Sequence, residues 1–91
     1  MSARRVAVRV SGHVQGVFFR ASAAQEARRL GVSGWVANAP AGHVEAEFQG
    51  EPAAVEELLT FCARGPSGAQ VDDVEVTDLD IRASETGFAV R

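Results

Sequence analysis

The spacing of apolar residues switches between two and three-to-four along this chain, and that alternation restricts the fold more than any other feature. Val6, Val8 and Val10 alternate with Ala7, Arg9 and Ser11, which predicts a half-buried strand. From Phe19 the period lengthens. Phe19, Ala23, Ala27 and Leu30 share one helical face, with Gln25, Glu26, Arg28 and Arg29 mostly outside it. Gly31 is well placed to end that helix. Residues 33–38 hold Trp35 and Val36 and read as a second strand, and 39–42 (Ala-Pro-Ala-Gly) read as a turn. Val44, Ala46 and Phe48 then face one way, and Glu45, Glu47 and Gln49 the other, so strand, turn and strand form a hairpin. Pro52 suits the first turn of a second helix. There Val55, Leu58, Leu59 and Cys62 recur at helical spacing until Gly65-Pro66 stops it. Residues 71–81 predict a further strand. Its inward phase passes from Val74 and Val76 to Leu79 and Ile81, so a bulge or bend is expected near Thr77-Asp78. Residues 88–91 add a short edge strand.

The order β-α-β-β-α-β is the split βαβ arrangement of ferredoxin-like folds, an α+β sandwich. Strands with one apolar and one polar face fit an antiparallel sheet carrying both helices on one side. Ninety-one residues make one domain, 1–91, with a single modest core, since a chain of this size buries little more than ~60% of its unfolded surface. The fold alone leaves the chemistry open, because many functions share it.

Composition closes several routes. Twelve acids against nine bases give a net charge of −3, so the chain as a whole is no polyanion binder, and no nucleic-acid partner is expected. All the bases are Arg, which excludes a Walker A lysine, a Schiff base and a lysine general base. Tyr is absent. The single Cys62 allows neither an internal disulfide nor a cysteine-based zinc site. Arg9 interrupts the apolar run that would have to follow Arg4-Arg5 in a twin-arginine signal. The longest uncharged stretch, 10–19, is too short and Gly-rich to span a membrane. A cytoplasmic protein with no membrane partner is expected.

The informative stretch is V-S-G-H-V-Q-G-V-F-F-R, residues 10–20. It joins strand to helix through a loop with two glycines. Such a loop can turn successive N–H groups inward as an anion nest, and the helix start adds free N–H groups and a positive dipole end. Arg20 falls in or beside the first helical turn, where a cation is locally unfavourable by ~0.3–1 kcal/mol unless an anion shares the site. A plain glycine-rich connection with a solvated Arg fits the spacing equally well. Residues 31–45 follow, G-V-S-G-W-V-A-N-A-P-A-G-H-V-E. Together the two stretches resemble the acylphosphatase family, whose signatures are V-x-G-x-V-Q-G-V-x-F-R and G-W-V-x-N-x-x-x-G-x-V-E. Residues 87–91, G-F-A-V-R, are similar to that family's chain end. The likeness is clear over the first half of the chain and weak in the second.

The resemblance implies a metal-independent enzyme that hydrolyses acyl phosphates to a carboxylate and inorganic phosphate. Inorganic phosphate is then both product and inhibitor, and no cofactor is implied. It assigns phosphoryl binding to the backbone amides of Gln15, Gly16, Val17, Phe18 and Phe19 and to Arg20, and orientation of the attacking water to Asn38. Elementary chemistry makes that set sufficient. A carboxylate leaving group needs no protonation, and a loose phosphoryl transition state asks for positioned water more than for a strong base. Asn38 can accept from and donate to water without placing a charge beside the phosphoryl group. Arg20 offers a planar, permanently charged fork. The chain departs from the family at Ala23, a frequent Thr; at Ala39, often polar; and at Ala41, often Asp in bacterial members. These departures bear on the setting of the Asn38 loop and on rate.

The remaining candidates are weaker. His13 and His43 lack a third ligand at any motif spacing, so surface or loop positions are expected. Cys62 would need Arg at position 68 for a Cys-x5-Arg phosphatase, and Gly68 stands there; a core position is expected. Trp35 is expected to pack, and Asp72-Asp73 and Glu56-Glu57 to be solvated. An RNA-binding module would need exposed aromatics and a basic sheet face, where this chain places Glu45, Glu47 and Gln49. A non-catalytic anion-binding module is the other reading; the joint presence of Arg20 and Asn38 favours catalysis. The short chain points to a free-standing, monomeric enzyme.

Overall fold

β1 (Arg4–His13) is paired on both sides, antiparallel to β3 (Val44–Gly50) and to β4 (Gln70–Leu79), in a computed structural model that describes residues 2–91. Its Val6, Val8 and Val10 lie opposite Phe48, Ala46 and Val44 of β3, and all six are buried. β2 (Ser33–Asn38) pairs antiparallel with the other side of β3, and β5 (Phe88–Val90) runs beside β2. The sheet order is β4-β1-β3-β2-β5. Two helices, α1 (Phe19–Leu30) and α2 (Pro52–Arg64), cover one face. Ala23 and Ala27 of α1 and Val55 and Leu58 of α2 share one core with Val6, Val8 and Phe48. A fully buried Phe or Leu contributes ~1.5–3 kcal/mol each. This is the expected ferredoxin-like α+β sandwich.

Local chemistry sets the helix limits. At the end of α1, Gly31 N–H reaches Arg28 O (3.3 Å) and Val32 N–H reaches Ala27 O (2.8 Å), the double bond of a Schellman ending. Pro52 occupies the first turn of α2, and Gly65 N–H closes its last turn on Phe61 O at 2.7 Å. Gly34 of β2 has φ +137°, and a Cβ there would overlap the Glu47 carbonyl oxygen of β3; only glycine lets these two strands approach so closely.

Three expectations need correction. The sheet is mixed: four strands are antiparallel as expected, but β5 is parallel to β2. β4 ends at the far edge of the sheet, and residues 80–87 pass beneath to the opposite edge, so the chain re-enters in the direction of β2. The bulge is not at Thr77-Asp78. Pairing runs unbroken from Arg5–Leu79 to Ser11–Asp73, and the shift comes where Gly12 meets Val71, which leaves Asp72 as the extra residue. Between Asp73 and Leu79 the phase of β4 does not slip. Asp78 lies opposite Val6, on the helix-bearing side at the open edge, where Arg4 Nε donates to it (3.1 Å) and Arg4 Nη1 donates to Glu56 of α2 (2.9 Å). Finally, the strand stops at Leu79, and Leu79 and Ile81 are exposed instead of inward.

The topology has one functional consequence. β1, β2 and β5 run in the same direction, and α1 begins where β1 ends. The ends of three strands and the start of one helix therefore meet at one end of the sandwich.

Candidate functional site

Residues 14–18 bridge β1 and α1 at that end. Val14 is buried and anchors the loop, while Gly16 (φ +75°) and Phe18 (φ +61°) both take the left-handed conformation. Around Gly16 the space a Cβ would occupy is open. Among the described residues, no backbone carbonyl accepts from the N–H groups of Gln15, Gly16, Val17, Phe18 or Phe19. The first helical bond is Ser22 N–H to Phe18 O (3.0 Å), so the start of α1 adds the orphan donors that every helix leaves. No acid occupies its first turn. Free amides and a positive helix end are the chemistry that an anion cradle requires.

Arg20 stands in that first turn, half-buried, and its Nη1 donates to Arg91 O at 2.8 Å. Arg91 is itself fixed: its N–H reaches Val36 O (2.8 Å), and its guanidinium lies 4.7 Å from the centre of the Trp35 ring. Asn38 is the last residue of β2, paired with Val44 and on the same sheet side as the buried Val36. The turn beyond it is closed by Ala39 N–H to His43 O (2.8 Å) and Gly42 N–H to Ala39 O (3.0 Å). Among the described residues no protein group hydrogen-bonds the exposed Asn38 side chain.

Gly16, Phe18, Arg20, Ala21, Asn38 and Val90, with Val14 and Phe19 beneath, line one cavity of about 440 Å³. Residues far apart in sequence, Arg20 and Asn38, thus share a pocket with the glycine loop. Of the other expected loop residues, Val17 leans on the core. Gln15 sends its side chain away: Nε2 donates to Ala39 O (2.7 Å) and His43 O (3.0 Å). This side chain ties the cradle to the turn that carries Asn38. Sequence reasoning assigned Gln15 only a backbone amide, and the signal for more was its polar side chain in an otherwise Gly- and Val-rich loop.

None of the three departures lines the pocket. Ala23 is buried in the core, Ala39 is buried while its carbonyl serves Gln15, and Ala41 is exposed in the turn. His13 is exposed, and His43 Nε2 pairs with Glu45 at 2.8 Å. Cys62 is buried, and burial pushes its thiol up to about 12. Among the described residues no three His, Cys, Asp or Glu side chains gather as metal ligands, and no helix is long and apolar enough to cross a membrane. The sheet face away from the helices presents Glu45, Glu47 and Glu75 together with Arg9 around Trp35, a surface of mixed charge.

A sequence profile of the acylphosphatase family matches residues 6–90. The chain belongs to the acylphosphatase family. It is 54% identical over 88 residues to the acylphosphatase of Rubrobacter xylanophilus, covering 97% of this chain and 80% of that one. Against the Anaeromyxobacter dehalogenans acylphosphatase it is 54% identical over 87 residues, covering 96% and 94%. The solved acylphosphatase of Coxiella burnetii superposes with a TM-score of 0.93 at 36% identity, covering 98% of this chain and 93% of that one. The family match spans both halves of the chain, so the weak likeness of residues 46–86 reflects diverged sequence on a retained fold.

Proposed function

We propose that Arg20, Asn38 and the amides of residues 15–19 are the working parts of this acylphosphatase. The observation that carries the reading is the single cavity that gathers Arg20, Asn38 and Gly16 at the start of α1 in a chain of this family. The loop amides and the Arg20 guanidinium hold the phosphoryl oxygens and neutralise charge that spreads over them in the transition state. Asn38, free of protein partners among the described residues, holds a water in line with the bond to be broken. The water oxygen forms a bond to phosphorus as the bridging P–O bond breaks. Its electron pair leaves on the carboxylate, and the water's proton passes to a phosphate oxygen or to solvent. The donor set is amide and guanidinium, which suits an anion and offers nothing to a divalent cation.

The same reading makes residues 1–91 a single domain, Met1 lying outside the described residues, that acts as a cytoplasmic monomer with inorganic phosphate as product and competitive inhibitor. The test is phosphate release from acetyl phosphate and benzoyl phosphate beside an ordinary phosphomonoester, with and without chelator. Hydrolysis of the anhydrides alone, unchanged by chelator, is the expected result; activity lost to chelator and restored by metal overturns the metal-free step. Thiol alkylation at pH 8 should also leave activity intact. Burial pushes the Cys62 thiol to about 12, and the attacking form is the thiolate. Intact mass measured beside turnover checks this.

Gln15 enters as a positioning residue. Gln15→Ala removes both ties to the Asn38 turn but keeps the loop amide. It should lower kcat ~10-fold, the scale of a loosened reacting geometry, while leaving the phosphate inhibition constant within about two-fold. A parallel loss of phosphate affinity would assign Gln15 to the cradle instead.

A further inference from the structure

The turn that follows Asn38 carries no side chain able to hold its shape. Residues 39–42 are Ala-Pro-Ala-Gly, so beyond the bond from Gly42 N–H to Ala39 O the turn depends on groups outside it. Two bonds converge on one atom: the His43 carbonyl accepts from Ala39 N–H (2.8 Å) and from Gln15 Nε2 (3.0 Å). The direction of that carbonyl follows from the backbone of His43, and the His43 side chain is itself held. Its imidazole is only 11% exposed, and Nε2 lies 2.8 Å from Glu45 Oε1. An ionised carboxylate only accepts, so Nε2 carries the hydrogen, and the bond persists whether the ring is neutral or charged. Glu45 belongs to β3, the middle strand of the sheet, flanked by Arg9 of β1 and Ala37 of β2. The imidazole therefore fastens the turn to the best-supported strand in the molecule.

We propose that His43, clasped to Glu45, is a positioning residue that sets Asn38 for its water. The inference rests on the reading of Asn38 as the group that orients that water. His43 itself stays clear of the substrate. It is not among the residues that line the cavity, and its partner Glu45 stands on the sheet face away from the helices, whereas Asn38 lies on the side of the buried Val36. Stability alone does not explain the clasp, since an ion pair whose acid is 52% exposed contributes little to it. What the clasp restricts is rotation of a residue whose carbonyl holds both Ala39, the neighbour of Asn38, and the Gln15 side chain. Without it the turn can drift while the cradle, which belongs to the loop and α1, keeps its shape. In a reaction that relies on placed water, a drift of about 1 Å is enough to cost turnover.

The test is kcat, KM and the phosphate inhibition constant for acetyl phosphate hydrolysis in His43→Ala, Glu45→Ala and the double variant, with His43→Gln as the conservative replacement. His43→Ala should lower kcat about ten-fold and leave KM and the phosphate inhibition constant within about two-fold. Glu45→Ala changes an exposed side chain, so it keeps the fold while removing the same bond, and it should give the same loss. The double variant should lose no more than either alone, as expected of two groups that act as one. Gln can donate to Glu45 from a similar reach, so His43→Gln should bring kcat back to within about three-fold of the parent. One further comparison reads the route: in an Asn38→Ala background, His43→Ala should cost nothing more. The inference is overturned by parental kcat in Glu45→Ala, by matched losses of kcat and phosphate affinity, or by a further loss in the Asn38→Ala background. Turnover retained by Asn38→Ala overturns instead the reading of Asn38, and the inference with it.

Discussion

Asn38→Ala is expected to lower kcat by ~10²–10⁴-fold while inorganic phosphate inhibits almost as before. The cradle amides and Arg20 belong to the loop and α1, so they are untouched by a change at the end of β2. What disappears is the group to which the proposed mechanism assigns the water. Asn38 is exposed, has no protein partner among the described residues, and lines the pocket, so its removal leaves no buried polar atom unsatisfied and little stability is lost. Asn38→Asp should be no faster. A carboxylate could take a proton from the water, but it would stand beside the phosphoryl anion and weaken binding. The measurement is kcat beside the phosphate inhibition constant, with circular dichroism to establish folding. Turnover retained within a few-fold of the parent would mean that the water is oriented by another group.

How much of this was legible in the sequence depended on whether the signal was local. α1 and α2, the hairpin β2–β3 and the core valines were readable because each is a periodic pattern, and burial followed the pattern at Val6, Val8, Val10, Val44, Ala46 and Phe48. The two motifs located Arg20 and Asn38. What failed was the edge of the sheet. An edge strand faces solvent along much of its length, so the apolar phase of β4 carries little information past Val76, and Leu79 and Ile81 misled. Arg5 is the clearest loss. It sits on the polar side of β1, the side that alternation assigns to water, yet it is 2% exposed. Residues 80–87 cross beneath the sheet, and Glu85 reaches the Arg5 guanidinium at 3.2 Å beside Glu47 at 2.5 Å and Gln49 at 3.2 Å. Gln49 also accepts from Arg82 N–H at 2.9 Å. That crossing has no period of its own, so nothing in the sequence announces that it covers an arginine.

The crossing matters to the site because it delivers β5. Arg5 holds the connecting segment against the sheet, β5 then pairs with β2, and Arg91 reaches Val36 O and presents its backbone oxygen to Arg20. Removing one partner of a buried charge costs far more than its exposed equivalent, so the pair of Glu85 with the buried Arg5 is the segment's firmest tie to the sheet. The position of Arg20 thus has two sources. One is the helix turn that carries it; the other is a strand on the remote edge of the chain's topology.

Arg20→Gln is expected to fail differently from Asn38→Ala, with phosphate affinity and kcat/KM lost together. Gln keeps a donor and a similar reach but carries no charge and cannot form a two-pronged contact with phosphoryl oxygens. A charge-assisted contact is worth ~1.5–3 kcal/mol, and more where water is excluded and charge develops on the oxygens. An arginine that stabilises a phosphoryl transition state is worth on the order of 10³-fold or more in kcat, so kcat/KM should fall at least that far. The fold should stand, because Arg20 is only half-buried and among the described residues its one protein partner is the Arg91 backbone oxygen. Arg20→Lys sharpens the point. It restores the charge as a point without the planar fork, so it should recover phosphate binding further than it recovers turnover. Phosphate inhibition constants and kcat for both variants, set beside those of Asn38→Ala, separate the roles: the Asn38 variant binds and does not turn over, and the Arg20→Gln variant does neither. Normal phosphate binding by Arg20→Gln would place the anion elsewhere and remove Arg20 from the mechanism.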